Sequence, residues 1–148
     1  MRCESTVIVD KPPAEVFPWL LDADKVPRWT TGLVVYEPLD PPPLRVGSRI
    51  RQELTVSGYQ LRFELRVAEL DEPRRAVLHF EGSGFSAANE YSVAAADGGS
   101  RVTWVIGGET TSFKAKLVAP MVQSKLQEKL EGDLARLRAL LAGEVAAA

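Results

Sequence analysis

The chain has 148 residues, 45% of them hydrophobic and 26% charged, with a formal net charge of −2, which is enough for one ordinary core. Its acids and bases are interspersed and the isoelectric point is near 5.5, which argues against a nucleic-acid binder. No apolar run approaches the roughly 20 residues of a spanning helix, and a lone cysteine, Cys3, cannot form an internal disulfide.

The chain starts directly with Cys3-Glu4-Ser5-Thr6-Val7-Ile8-Val9, which reads as a strand over 3–10 rather than a signal peptide, so the expected compartment is the cytoplasm. Pro12-Pro13 opens a short helix from Ala14 to Leu21, shortened or bent by Pro18. Asp22 or Asp24 is positioned to cap a second short helix that ends near Trp29. Leu33 to Pro38 is a short strand, and Pro41-Pro42-Pro43 stiffens the connection after it.

From Gly47 onward the pattern alternates as a meander. Ile50, Gln52, Leu54 and Val56 share one face of a strand, and Ser57-Gly58 turns the chain. Leu61, Phe63, Leu65 and Val67 form the next inward row. Ala76 to Glu81 follows the Asp71-Glu72-Pro73 turn, and Gly82-Ser83-Gly84 closes that hairpin. Ala87, Asn89, Tyr91 and Val93 make another inward row, and Asp97-Gly98-Gly99 leads into Val102, Trp104 and Ile106. Gly107-Gly108 indicates a bulge or a close backbone approach. Leu126, Leu130, Leu134, Leu137 and Leu141 then recur at helical spacing, with the stripe continuing backward through Val122, Val118 or Leu117, and Phe113. One helix is predicted from Thr111 to Gly143, on the order of 45 Å long, with a kink at Pro120.

The prediction is an α+β chain: a curved antiparallel sheet of about 6–7 strands around a long C-terminal helix, with two short helices after strand 1. The domain covers 1–143, and 144–148 form a frayed tail. A single sheet must cover its apolar face, and only the last helix is large enough to do so. Curvature then leaves an apolar cavity between sheet and helix.

Five segments in this order resemble the START/Bet v 1-like (SRPBCC) helix-grip superfamily, in its bacterial polyketide cyclase/dehydrase-like branch. They are Val9-Asp10-Lys11-Pro12-Pro13-Ala14-Glu15-Val16-Phe17, Asp24-Lys25-Val26-Pro27-Arg28-Trp29, Val46-Gly47-Ser48-Arg49-Ile50, Gly98-Gly99-Ser100-Arg101-Val102-Thr103-Trp104, and Phe113-Lys114-Ala115-Lys116-Leu117 with the leucine stripe. The resemblance implies a fold, but the superfamily's activities range from lipid carriage to polyketide cyclisation, so a site must be argued from residues.

His79, the only histidine, shares a strand face with Glu81 opposite Leu78 and Phe80, which assigns it to solvent. With no second histidine, neither a metal site nor a cofactor is expected. Cys3 reads as a small buried residue. Glu53, Glu64 and Glu90 fall on solvent faces, so no carboxylate pair converges, and Arg51 reaches the interior only through a bulge. Gln52, Asn89 and Tyr91 put polar groups on inward faces, either as satisfied core contacts or as ligand-orienting groups.

The candidate ligand-binding lining is Trp29, Gln52, Leu54, Leu61, Phe63, Asn89, Tyr91, Trp104, Phe113, Leu117 and Met121, with Trp29 at the mouth and Met121 as a deformable wall. The reading is a carrier or sensor of a lipophilic, lipid- or polyketide-like small molecule, without covalent chemistry. The alternatives are a polyketide cyclase/dehydratase-type enzyme using Gln52, Asn89 and Tyr91, and a chaperone-activator-like interaction module. No nucleic acid or integral membrane segment is expected, and a homodimer is compatible with the sequence.

Overall fold

A computed structural model describes residues 1–82 and 84–143. In chain order the elements are β1 (Arg2–Val9), α1 (Pro13–Leu21), α2 (Val26–Trp29), β2 (Leu33–Pro38), β3 (Arg49–Val56), β4 (Tyr59–Asp71), β5 (Arg75–Gly82), β6 (Phe85–Ala96), β7 (Gly99–Thr110) and α3 (Phe113–Leu141). The strands form one antiparallel sheet in the order β1-β7-β6-β5-β4-β3-β2. Both edges are therefore strands from the early part of the chain. Ser83, in the expected β5–β6 turn, and the expected tail at 144–148 lie outside the described residues.

The meander follows from its turns. Asp97 and Gly98 both have positive φ, 44° and 80°, so a two-residue loop joins Ala96 to Gly99 with the twist a hairpin favours. The pairings place Ile50, Gln52, Leu61, Phe63, Leu65, Leu78, Phe80, Asn89, Tyr91, Trp104 and Ile106 on one face, as the alternation predicts. At Gly108 the expected close approach is present without a bulge: an added Cβ would lie 2.6 Å from the Ala87 Cβ. The α2 cap differs from expectation. Lys25 occupies the N-cap without a side-chain bond, while Asp22 and Asp24 turn their carboxylates to its ammonium.

The core joins Val16, Phe17 and Leu20 of α1, Trp29 of α2, the inward rows of the sheet, and Leu130, Leu134, Leu137 and Leu141 of α3. The long helix is continuous through Pro120, and Ser112 caps it by accepting from the Ala115 N–H. It packs along β1 and β7 and against α2. Gln123 Nε2 donates to the Arg2 carbonyl at 3.2 Å, and Gln127 bonds both the N–H and the carbonyl of Glu4. These amides cap the free edge of β1, which would otherwise present unpaired backbone groups.

The apolar stripe is buried only from Leu130 onward, with Leu126 half-buried. The backward extension through Val118 or Leu117 to Phe113 is corrected. The half-buried positions of the first half are Ala115 and Ala119, a helical step behind Gln123, while Phe113, Leu117 and Met121 point away from the sheet and are 78%, 67% and 54% exposed. A stripe that advances by fours slips around a 3.6-residue helix, so the early large residues rotate off the docked face.

Candidate functional site

The inward sheet face has a closed end and an open end. At the closed end, α1 and α2 fill the space. Trp29 is 1% exposed, meets Trp104 edge-on at 5.6 Å, and donates its indole N–H to the Trp19 carbonyl at 2.7 Å. Trp29 is therefore core, not a mouth residue: its ring is enclosed and its N–H is already used. Tyr36 donates its hydroxyl to the Leu21 carbonyl at 3.1 Å.

At the other end lie the β3–β4 turn, the β5–β6 turn and the start of α3. There Phe63, Phe80 and Phe85, from three adjacent strands, meet at centroid distances of 4.9 to 6.1 Å. Gln52, Leu61, Phe63 and Phe85 stay half-exposed although all face inward, because α3 lies over the β1 side and leaves the β3 and β4 side uncovered. Leu54 lies deeper, 7% exposed. The first turn of α3 sits against the β5–β6 turn, where a Cβ on Gly84 would meet the Ser112 Oγ at 2.7 Å.

Between the two ends lie the buried polar groups. Trp104 Nε1 donates to Asn89 Oδ1 at 2.9 Å, so the carbonyl half of Asn89 is a satisfied core contact. Among the described residues, neither Asn89 Nδ2 nor the Tyr91 hydroxyl has a hydrogen-bond partner, yet neither is among the fully occluded unpaired atoms. Both residues are only 8% exposed, so two hydrogen-bond donors stand in an otherwise apolar buried row. Burial, followed by the charges of Tyr36 and Asp133, raises the Tyr91 phenol well above its ordinary value, and burial followed by Asp22 raises Tyr36. Tyr91 therefore stays a protonated phenol at neutral pH, with a hydroxyl free to donate and too weakly acidic to give up its proton.

The raised phenols give a pH prediction. The folded chain holds both protons where an unfolded tyrosine releases its own near about pH 10. Above that pH the unfolded state binds fewer protons, so this stability is complete below about pH 10 and is lost as pH rises toward the folded values. In a Tyr59→Phe background, phenolate absorbance is expected only together with unfolding. A reversible phenolate signal from the folded protein near pH 10 would refute it.

Sequence reasoning missed Asp133. Its carboxylate is fully buried and accepts from the Thr31 N–H at 3.1 Å, the Thr31 hydroxyl at 2.7 Å and Lys129 Nζ at 2.6 Å. Lys129 also donates to the Thr31 carbonyl at 2.6 Å. The group ties α3 to the segment after α2. The available signal was an acid on the helix stripe, three residues after Leu130 and four before Leu137.

The remaining chemistry-bearing residues are accounted for structurally. His79 is exposed on the outer face, opposite Arg66 and Ala88. Replacing it with alanine should change stability by less than about 0.5 kcal/mol. A larger loss in a urea melt would contradict that placement. Cys3 is 2% exposed and its thiol pKa is raised by burial, which makes it a weak nucleophile. Glu53, Glu64 and Glu90 pair outside with Arg62, Arg49 and Arg75, and Arg51 stays on that surface beside Glu37 and Glu53. Among the described residues, no cluster of three or more His, Cys, Asp or Glu side chains is placed to hold a metal ion. A surface depression of 660 Å³ lies between Val9, Asp97 and Arg138 at the end of α3, another of 230 Å³ lies beside His79 and Gly107, and neither is lined by Phe63, Asn89 or Tyr91.

A seven-stranded curled sheet gripping a long terminal helix, with two short helices after the first strand, is the Bet v 1-like helix-grip fold. The family model for polyketide cyclase / dehydrase and lipid transport matches residues 1–142, and the chain belongs to that family. Among solved structures, the protein TTHA0849 from Thermus thermophilus is 17% identical, with a TM-score of 0.81 over 99% of this chain and 100% of that one. CV1439 from Chromobacterium violaceum is 21% identical, with a TM-score of 0.71 over 95% and 96% of the two chains. Ara h 8.0201 is 17% identical, with a TM-score of 0.68 over 97% and 98%. No curated protein matches by sequence. Family and fold together support a module that binds hydrophobic ligands.

Proposed function

We propose that residues 1–143 act as one domain that holds a lipophilic, lipid- or polyketide-like small molecule between the open end of the inward sheet face and α3, as a cytoplasmic carrier or sensor without covalent chemistry. The observation that carries this reading is the row running from half-exposed Phe63 and Phe85 to Asn89 Nδ2 and the Tyr91 hydroxyl, which have no hydrogen-bond partner among the described residues. An apolar chain would lie on the aromatics, and its polar end would accept from the two donors. A proton-managing cyclase or dehydratase is less well supported. Its candidate groups are two amides and a phenol whose pKa is raised, none of them a strong acid or base at neutral pH.

Tyr91→Phe tests the reading with little structural disturbance, because it removes a hydroxyl that bonds no other described residue. It should weaken a fluorescent fatty acid roughly two- to tenfold, the equivalent of about 0.5–1.5 kcal/mol for one net hydrogen bond. Diphenylhexatriene, a hydrocarbon with no polar end, should bind unchanged. Failure of the wild-type chain to bind either probe would overturn the proposal. Asn89→Leu is a less clean variant, since it also orphans the Trp104 N–H at a cost of about 1–3 kcal/mol.

A further inference from the structure

We propose that the first half of α3 docks the protein onto an anionic lipid bilayer surface. Phe113, Leu117, Val118, Met121 and Val122 are 78%, 67%, 43%, 54% and 42% exposed on one stretch of helix, whereas a helix face this apolar is ordinarily covered. The same stretch carries Lys114, Lys116 and Lys125 and has no acid from Thr111 to Gln127, in a chain whose net charge is −2. Lys125 meets its first acid in Glu128 at 3.7 Å, an exposed pair that lipid headgroups can compete with. The second half of α3 differs on both counts. Its large apolar residues are mostly buried, and Glu128, Glu131 and Asp133 stand among its bases.

Helical geometry puts Lys114 and Lys125 within the arc of the exposed apolar side chains, with Lys116 outside it. This arrangement selects among occupants. A second copy seated symmetrically on this face would bring lysines against lysines. A bilayer takes the apolar side chains into its interface while the ammonium groups reach lipid phosphates and carboxylates. Tyr59, 65% exposed beside the β3–β4 turn, lies at the same end of the sheet and adds an interfacial aromatic. Among the described residues, no helix is long and apolar enough to cross a membrane, so this is contact with the surface only. The inference does not require a ligand in the interior.

The test is sedimentation of the ligand-free chain with vesicles. Wild-type protein should bind phosphatidylcholine vesicles containing about 30% phosphatidylserine at least several-fold better than phosphatidylcholine alone, with binding falling as salt rises. Leu117→Glu, and separately Lys114→Glu with Lys125→Glu, should each reduce binding about tenfold or more while leaving circular dichroism and Tm unchanged. The proposal is overturned by no wild-type binding, by equal binding to both vesicle types, or by binding that these variants leave intact. A concentration-dependent dimer that Leu117→Glu dissolves would assign the face to a second copy and also overturn it. Because no ligand is added, failure here leaves the Tyr91 measurement standing, and failure of that measurement leaves this one standing.

Discussion

Replacing Leu134 with alanine should cost about 2–5 kcal/mol, because the side chain is fully buried and the rigid sheet beneath it cannot collapse into the space left behind. For a chain of this size each kcal/mol moves Tm by roughly 2–4 °C, so the drop should be on the order of 4–20 °C. Leu130, equally buried one turn earlier, should behave alike. Leu117→Ala supplies the internal control. It removes the same atoms from a residue that is 67% exposed and should change stability by less than about 0.5 kcal/mol. Urea melts of the three variants measure where along α3 docking begins. Equal losses at Leu117 and Leu134 would mean that the whole helix is docked, and a negligible loss at Leu134 would mean that none of it is.

Asp133→Ala should be at least as damaging, by about 3–5 kcal/mol, for a different reason. The carboxylate and the Lys129 ammonium are both almost withdrawn from water, at 1% and 9% side-chain exposure. Removing one leaves the other charge buried without its partner, and it also strips the acceptor from the Thr31 N–H and hydroxyl. Replacing both, as Lys129→Met with Asp133→Leu, should recover part of the loss, because no buried charge then remains. A double variant no more stable than Asp133→Ala would show that the Thr31 bonds, rather than the ion pair, hold α3 to the α2 end.

The strands were legible because their patterning is local. Alternation along Ile50–Val56 and Ala87–Val93 and the Ser57-Gly58 and Asp97-Gly98 turns determine faces and hairpins without reference to anything distant. The outward placement of His79 and Glu81 followed from the same two-residue period. Trp29 was harder, since a tryptophan ending a short helix can cap a cavity or fill a core. The Trp19 carbonyl and the Trp104 ring, which decide the matter, come from other elements.

Asn89 shows the division within one side chain. Its inward direction was readable from the strand period, but the Trp104 N–H that occupies its oxygen belongs to β7. The sequence by itself determined the element order, the sheet faces and the leucine stripe from Leu126 to Leu141, because periods of two and 3.6 residues are properties of the backbone. Tertiary structure alone decided the lateral position of α3. Gln123 and Gln127 seat the helix on the β1 edge, and the Asp133 group ties it to Thr31. That offset leaves Leu61 and Phe63 uncovered. Such contacts join residues about a hundred positions apart in the chain, where no local pattern records them.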